Sequence, residues 1–208
     1  MKTNLVYFDY GNVICTDPDP HFFSYVSHKI KTPEKRIREV FSQKFSPFVA
    51  GTISDEDFFN FLAENLYASP KDVASWFSTV YPPLLKPKED ILAVAYKVRK
   101  KGIQAGILSN IASPLMKICL DNDYYSGFSP IILSAAVKLC KPQLEIYQLA
   151  LIIAAINVKD ADSVVFIDDK EKYLEPAKEL GIRTVQFNNA HETASDLERK
   201  LIEAGVEI

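Results

Sequence analysis

Four short polar groups stand where the chain leaves an apolar run. They are Asp9 after "NLVYF", Ser109 and Asn110 after "AGIL", Lys141 in "KLCKP", and Asp168 with Asp169 after "VVFI". An isolated aspartate at such a position can act as a nucleophile, and adjacent carboxylates suit a hard, oxygen-preferring dication. A hydroxyl and an amide can donate to an anion, and a lysine adds a compact positive charge. Each group also has an ordinary explanation. Turns after strands favour Asp, Ser and Asn, and a lysine before proline can simply be solvated. All four in this order are harder to dismiss.

The elements that would position them are legible from hydrophobic patterning. Apolar runs at 4–9, 103–110, 129–134, 163–169 and 182–187 read as buried strands without clean alternation, as in a parallel sheet covered on both faces. Helical patterns at 88–102, 113–123, 143–156, 171–181 and 191–205 separate or follow them, and Gly102, Gly181 and Gly205 stand where helix C-caps belong. Alternating strands and helices predict an α/β fold with a doubly wound parallel sheet, whose ligands bind at the C-terminal strand ends. All four polar groups fall on that edge.

Residues from about 20 to 86 break the alternation. Four helical stretches, 21–30, 33–45, 55–67 and 69–81, occur there with no convincing strand. Thr32–Pro33 and Ser69–Pro70 read as a cap followed by proline, and Ser54 with Asp57 resembles a capping box. Phe22, Phe23, Phe41, Phe58, Phe59, Phe61 and Trp76 are expected to form the core of a small helical bundle, with a few aromatics free to face a ligand. The proline-rich "VYPPLLKPKE" reads as a linker back to the sheet. The resulting division is 1–16 with 87–208 as a Rossmann-like core, and 17–86 as an inserted helical cap.

Composition narrows the classes. The 208 residues are 48% hydrophobic and 25% charged, with a net charge of -3, which argues against disorder and gives no electrostatic reason to expect nucleic acid or an anionic membrane. No apolar run approaches the ~20 residues of a membrane span, and the N-terminal segment does not read as a signal peptide. Cys15, Cys119 and Cys140 are odd in number and scattered, fitting reduced thiols and a cytoplasmic location. His21, His28 and His191 share no metal-like spacing. Cys15 and Cys140 lie near the polar groups, but neither has an accompanying histidine, so packing is the expected role.

The ordered set "FDYGNVI", "ILSN", "KLCKP" and "FIDD", with a helical insertion after the first, resembles the haloacid dehalogenase superfamily. More narrowly it resembles the phosphatase-like branch with a cap after the first motif and an aspartate-x-glycine-asparagine-valine signature. The resemblance covers essentially the whole chain. It implies Mg²⁺-dependent hydrolysis of a small phosphorylated metabolite, with sugar phosphates among the candidates, through an aspartyl-phosphate. On that pattern Asp9 is the nucleophile, and Asp9, the Gly11 carbonyl, Asp168 and Asp169 surround Mg²⁺. Ser109, Asn110 and Lys141 bind the phosphoryl oxygens, and Lys141 also orients Asp9. Lys138 is a rival lysine, but the family pattern of lysine directly before proline favours Lys141. Such chemistry is physically coherent, because phosphoryl transfer needs an in-line nucleophile and cations around the equatorial oxygens.

Two departures stand out. Most phosphatases of this family carry an aspartate two residues after the nucleophile, as acid for the leaving alcohol, where this chain has Gly11. General acid–base help is worth ~10²–10⁴-fold, so activity should favour aryl or anomeric phosphates over alkyl ones. Asp17 or Asp19 in "TDPDP" could stand in. Members often have asparagine four residues after the second aspartate of the last motif, where this chain has Tyr173. The alternatives are a catalytically weak or inactive binding protein, favoured only by Gly11 and Tyr173, and a haloacid dehalogenase, which would not need the paired aspartates. A mutase would also need the missing acid. Oligomeric state is not legible.

Overall fold

The computed structural model describes residues 2–208. Its centre is a five-stranded sheet in the order β3-β2-β1-β4-β5, built from β1 (Leu5–Phe8), β2 (Gln104–Ser109), β3 (Ile131–Leu133), β4 (Val164–Asp168) and β5 (Arg183–Gln186). Every pairing is parallel, and β1 lies centrally with Phe8 level with Ile107 on one side and Ile167 on the other. This is the expected α/β architecture.

The absence of alternation has a simple cause. Val6, Phe8, Ile107, Val165 and Ile167 face one apolar cluster, while Leu5, Tyr7, Leu108, Val164 and Phe166 face another. The first face is covered by α5 (Glu89–Lys100), α6 (Ser113–Asp121) and α10 (Ala194–Glu203). The second is covered by α8 (Leu144–Ile153) and α9 (Glu171–Glu179). Each fully buried large apolar side chain contributes about 1.5–3 kcal/mol, so the strands have no polar face to offer water. Gly102, Gly181 and Gly205 adopt positive φ just beyond α5, α9 and α10, as expected of C-caps.

Between β1 and α5 run α1 (Asp19–Ile30), α2 (Glu34–Val49), α3 (Asp55–Leu66) and α4 (Pro70–Leu84). Ser54 caps α3, and Ser69 with Asp72 forms a full capping box on α4. The Thr32–Pro33 start falls one residue later than expected: Pro33 itself occupies the cap position, and the Thr32 hydroxyl turns back to the Ile30 carbonyl. The proline-rich stretch also differs. Pro82 and Pro83 lie inside the last turn of α4, where they cannot donate to the Ser78 and Thr79 carbonyls but the Leu85 amide still reaches Tyr81 O. The extended part of that connection is therefore short. Near β3, Pro130 cannot donate to the ladder, which holds the strand to Ile131–Leu133, before α7 (Ser134–Val137).

Aromatic side chains fill the four inserted helices. Phe48 stacks on Phe58 at 3.8 Å, and Phe22, Phe41, Phe77 and Tyr81 pack around them at ring separations of 4.8–6.3 Å. These rings join the apolar cluster on the β1 face through Val13, Ile14 and Cys15. Among the described residues, no helix is long and apolar enough to cross a membrane.

Candidate active site

Asp9 follows the last residue of β1, and its amide donates to Ile167 O at 2.9 Å, extending the ladder by one step. Asp168 closes β4 beside it, fully buried, and Asp169 leads into α9. Lys141 comes from the loop before α8, and its ammonium is buried between the two strands. Nζ lies 2.5 Å from Asp168 Oδ2 and 2.9 Å from Asp9 Oδ1. Only the first contact is a hydrogen bond. The second is an ion pair, and beyond that ammonium Asp9 Oδ1 accepts from no other group. Asp169 Oδ1 has no hydrogen-bond donor. A buried carboxylate oxygen without a donor is costly.

Oxygens of Asp9, Asp168 and Asp169 lie within 4.8 Å of one another. Asp9 and Asp168 share the buried ammonium of Lys141, while Asp169 faces the charge of Lys170. Burial alone would lower Lys141, but Asp168 and Asp9 outweigh it and hold the amine firmly charged. Burial pushes the Asp168 carboxyl up, Lys141 pulls it back, and the Asp9 charge pushes it up again. The net direction for Asp168 is upward, because burial outweighs the pull of Lys141 and the Asp9 charge adds to it. An excess of negative charge, the orphaned Asp169 oxygen and an all-oxygen donor set fit a hard dication.

Several neighbours hold these groups in place. Asn110, after β2, uses both ends of its side-chain amide on the Lys141 backbone: Nδ2 donates to Lys141 O at 2.9 Å, and Oδ1 accepts from Lys141 N at 2.8 Å. One of the two N–H groups of Asn110 is thereby engaged, leaving the other for a ligand. Ser109 is buried and lines the cleft. Ser134 Oγ accepts from the Ile111 amide at 2.9 Å and donates to Val49 O at 2.5 Å, tying the loop after β2 to the end of α2. Lys138 donates to Gly51 O, away from Asp9, so the structure brings Lys141 to the carboxylates and not its rival.

Tyr173 has a clear place. Its ring lies 5.2 Å from Lys141 Nζ, opposite Phe166 at 5.1 Å, and its carbonyl accepts from Tyr147 Oη at 2.6 Å. Two aromatic faces thus wall the ammonium, substituting packing and cation–π attraction for a polar side chain. Sequence reasoning missed two asparagines. Asn12, at φ 59°, donates to Asp169 Oδ2 at 3.1 Å. Asn189, after β5, donates to Val13 O and Cys15 O at 2.8 Å, accepts from Lys88 Nζ at 2.9 Å, and its amide reaches Asn12 O at 2.8 Å. Asn12 stood in the "DYGNV" signature without an assigned role, and for Asn189 the hint was "FNN" following a strand, the same kind of signal that marked Ser109 and Asn110.

A cavity of ≈ 110 Å³ opens above these groups, between the sheet edge and the inserted helices. Its floor includes Asp9, Gly11, Ser109 and Lys170, and its far wall is Phe41, Phe45, Phe48, Phe77 and Tyr81. A Cβ built at Gly11 would meet nothing within 4 Å, so the backbone does not require glycine there and the space is open. Cys15 is buried, which raises its thiol well above the usual range, and burial raises Cys140 as well, so neither is poised as a thiolate. All three histidines are exposed.

A family model described as haloacid dehalogenase-like hydrolase matches residues 25–187, a span that includes Ser109, Lys141, Asp168 and Asp169. The chain is 27% identical over 161 residues to acyl-CoA dehydrogenase family member 10 of Mus musculus, covering 74% of this chain and 14% of that protein. It is 28% identical over 159 residues to drimenol cyclase drtB of Aspergillus calidoustus, covering 75% of this chain and 30% of that one. The chain therefore spans less than a third of the length of either relative. Among solved structures, a HAD family enzyme of Bacteroides thetaiotaomicron in a magnesium complex superposes with a TM-score of 0.74 at 25% identity, covering 95% of this chain and 98% of that one. The same enzyme with magnesium and inorganic phosphate gives 0.73 at 24% identity, over 95% and 99%. With the parallel sheet, the strand-end carboxylates and a family match over most of its length, this chain belongs to the haloacid dehalogenase-like hydrolases.

Proposed function

We propose that the chain is a Mg²⁺-dependent phosphatase that hydrolyses a small phosphorylated metabolite through an aspartyl-phosphate on Asp9. The observation that carries this reading is the convergence of Asp9, ion-paired to the buried Lys141, with two further carboxylates at the ends of the strands. Asp9, the Gly11 carbonyl, Asp168 and Asp169 would hold the metal, and the magnesium complex of the similar Bacteroides enzyme supports magnesium as that metal. Bound there, a dication would offset the negative charge of the nucleophile and the phosphoryl oxygens.

Asp9 attacks phosphorus, the bond to the leaving oxygen breaks, and water then attacks the aspartyl-phosphate to release phosphate and free Asp9. Ser109 donates its hydroxyl to a phosphoryl oxygen. Asn110 acts chiefly by holding the Lys141 loop, and Lys141 orients Asp9 while its charge faces the phosphoryl group. The segment 17–86 serves as a cap over the 1–16 and 87–208 core, excluding water during the first step. The cavity pairs polar groups at the sheet edge with an aromatic wall, consistent with a small phosphorylated metabolite, sugar phosphates among the candidates.

Turnover of an aryl phosphate and a sugar-phosphate panel, with Mg²⁺ and with chelator, tests the reading. Mg²⁺-dependent turnover that disappears in Asp9→Asn supports it. Chelator-resistant turnover, or full activity in Asp9→Asn, overturns it.

A further inference from the structure

Gly11 leaves an open space beside Asp9 and no acid to fill it. Asp19 lines the same cavity from the first residue of α1. Tyr81 Oη donates to Asp19 Oδ1 at 3.1 Å, and the Asp19 amide donates to Asp17 Oδ1 at 3.0 Å, which fixes the turn that delivers it. Tyr81 is itself held between Phe22 and Phe77, each at 5.2 Å between ring centroids. Among the described residues, Asp19 Oδ2 engages no donor and Asp19 has no ion-pair partner.

Resting on the phosphatase reading above, we propose that Asp19, positioned by Tyr81, is the general acid for the leaving oxygen, taking the role that Gly11 cannot fill. As the phosphorus–oxygen bond breaks, its electron pair stays on the leaving oxygen, which takes the proton from Asp19. The Asp19 carboxylate then accepts a proton from the water that attacks the aspartyl-phosphate, and the acid is restored.

The surroundings suit that cycle. Burial among aromatic rings pushes the Asp19 carboxyl up to about 6, and the Asp17 charge adds to the rise. The Tyr81 hydrogen bond, Lys170 from the loop after β4 and Arg38 from α2 act in the opposite sense. An ordinary first-turn aspartate would be exposed and ionised at neutral pH, whereas this one exchanges its proton close to it. The consequence is a leaving-group preference that depends on pH. Alkyl phosphates, which need the proton, lose rate as Asp19 ionises above about pH 6. Aryl phosphates, which leave more readily as anions, lose less.

The test compares kcat/KM for p-nitrophenyl phosphate and glycerol 2-phosphate across the acid-to-neutral range, with saturating Mg²⁺. In Asp19→Asn the alkyl ester should lose ~10²–10⁴-fold, the aryl ester at least about tenfold less, and the pH limb of the alkyl ester should vanish. Tyr81→Phe removes a bond that favours the carboxylate, so its limb should move to higher pH. Equal losses on both esters, no loss on either, or a limb that persists in Asp19→Asn overturns the assignment. If the wild-type protein hydrolyses neither ester with Mg²⁺, the phosphatase reading falls and takes this assignment with it, an outcome distinct from the selective ones.

Discussion

Replacing Lys141 with methionine would keep most of the side-chain volume and remove the one cation buried among the strand-end carboxylates. At 2.5 and 2.9 Å, with an effective dielectric of about 20, its gross attraction is ~7 kcal/mol to Asp168 and ~6 kcal/mol to Asp9. Desolvation of the three ions and repulsion between the carboxylates offset most of that sum. Removing one partner of such a buried arrangement typically costs about 3–5 kcal/mol, because the remaining charges stay buried without compensation. At ~2.1 cal/mol/K per residue, the 208-residue chain has an unfolding entropy near ~0.44 kcal/mol/K, so Tm should fall by ~7–11 °C. The assay is thermal and urea unfolding in chelator, so that no metal replaces the missing charge. Asp168→Asn in the Lys141→Met background should recover part of the loss, since it removes one of the stranded carboxylates. If Lys141→Met is as stable as the wild-type protein without metal, the charged cluster described here is wrong.

Further expectations follow from the same excess of negative charge. Asp9→Asn should leave the chelated protein at least as stable as wild type by urea unfolding while abolishing phosphate ester turnover, because it relieves repulsion at the expense of the nucleophile. Mg²⁺ should raise Tm of the wild-type protein, by an amount equivalent to ~2.7 kcal/mol at 100 times its dissociation constant, and markedly less in Asp168→Asn. Asp19 gives a pH-dependent effect of definite sign. Its folded value of about 6 exceeds the usual 3.8, so the folded state binds the proton more tightly, and stability falls as pH rises from about 4 through 6. Asp19→Asn should remove that penalty, with little gain near pH 4 and up to ~3 kcal/mol above pH 7, measured by urea unfolding at both ends.

The fold was legible because a doubly covered parallel sheet leaves a strong mark: five short apolar runs, each followed by a helical pattern and several by a glycine cap. The candidate site was legible for a related reason. In such a sheet the C-terminal ends of β1, β2 and β4 must emerge on one edge, so Asp9, Ser109 and Asp168 could be associated without any contact being known. What remained hidden depends on contacts between residues far apart in sequence. Nothing near Asn110 shows that its amide is used by Lys141, or near Tyr173 that its ring walls the same ammonium. Asn189 reaches back across the chain to the loop after β1, a contact no local pattern encodes. The aromatics of α2 and α4 pose the same problem, since Phe48 and Phe77 serve both the helical core and the cavity wall. Pro82 and Pro83 misled for a local reason: proline reads as a helix stop, but the last turn of α4 tolerates it.

The central claim is that Asp9 carries the phosphoryl group during turnover. Acid quenching of the wild-type protein during steady-state hydrolysis of an aryl phosphate, followed by peptide mass spectrometry, tests it directly. The expected result is the mass of one phosphoryl group on the peptide containing Asp9, absent in Asp9→Asn and absent without Mg²⁺. Turnover without that adduct, or with the adduct on another residue, would contradict it.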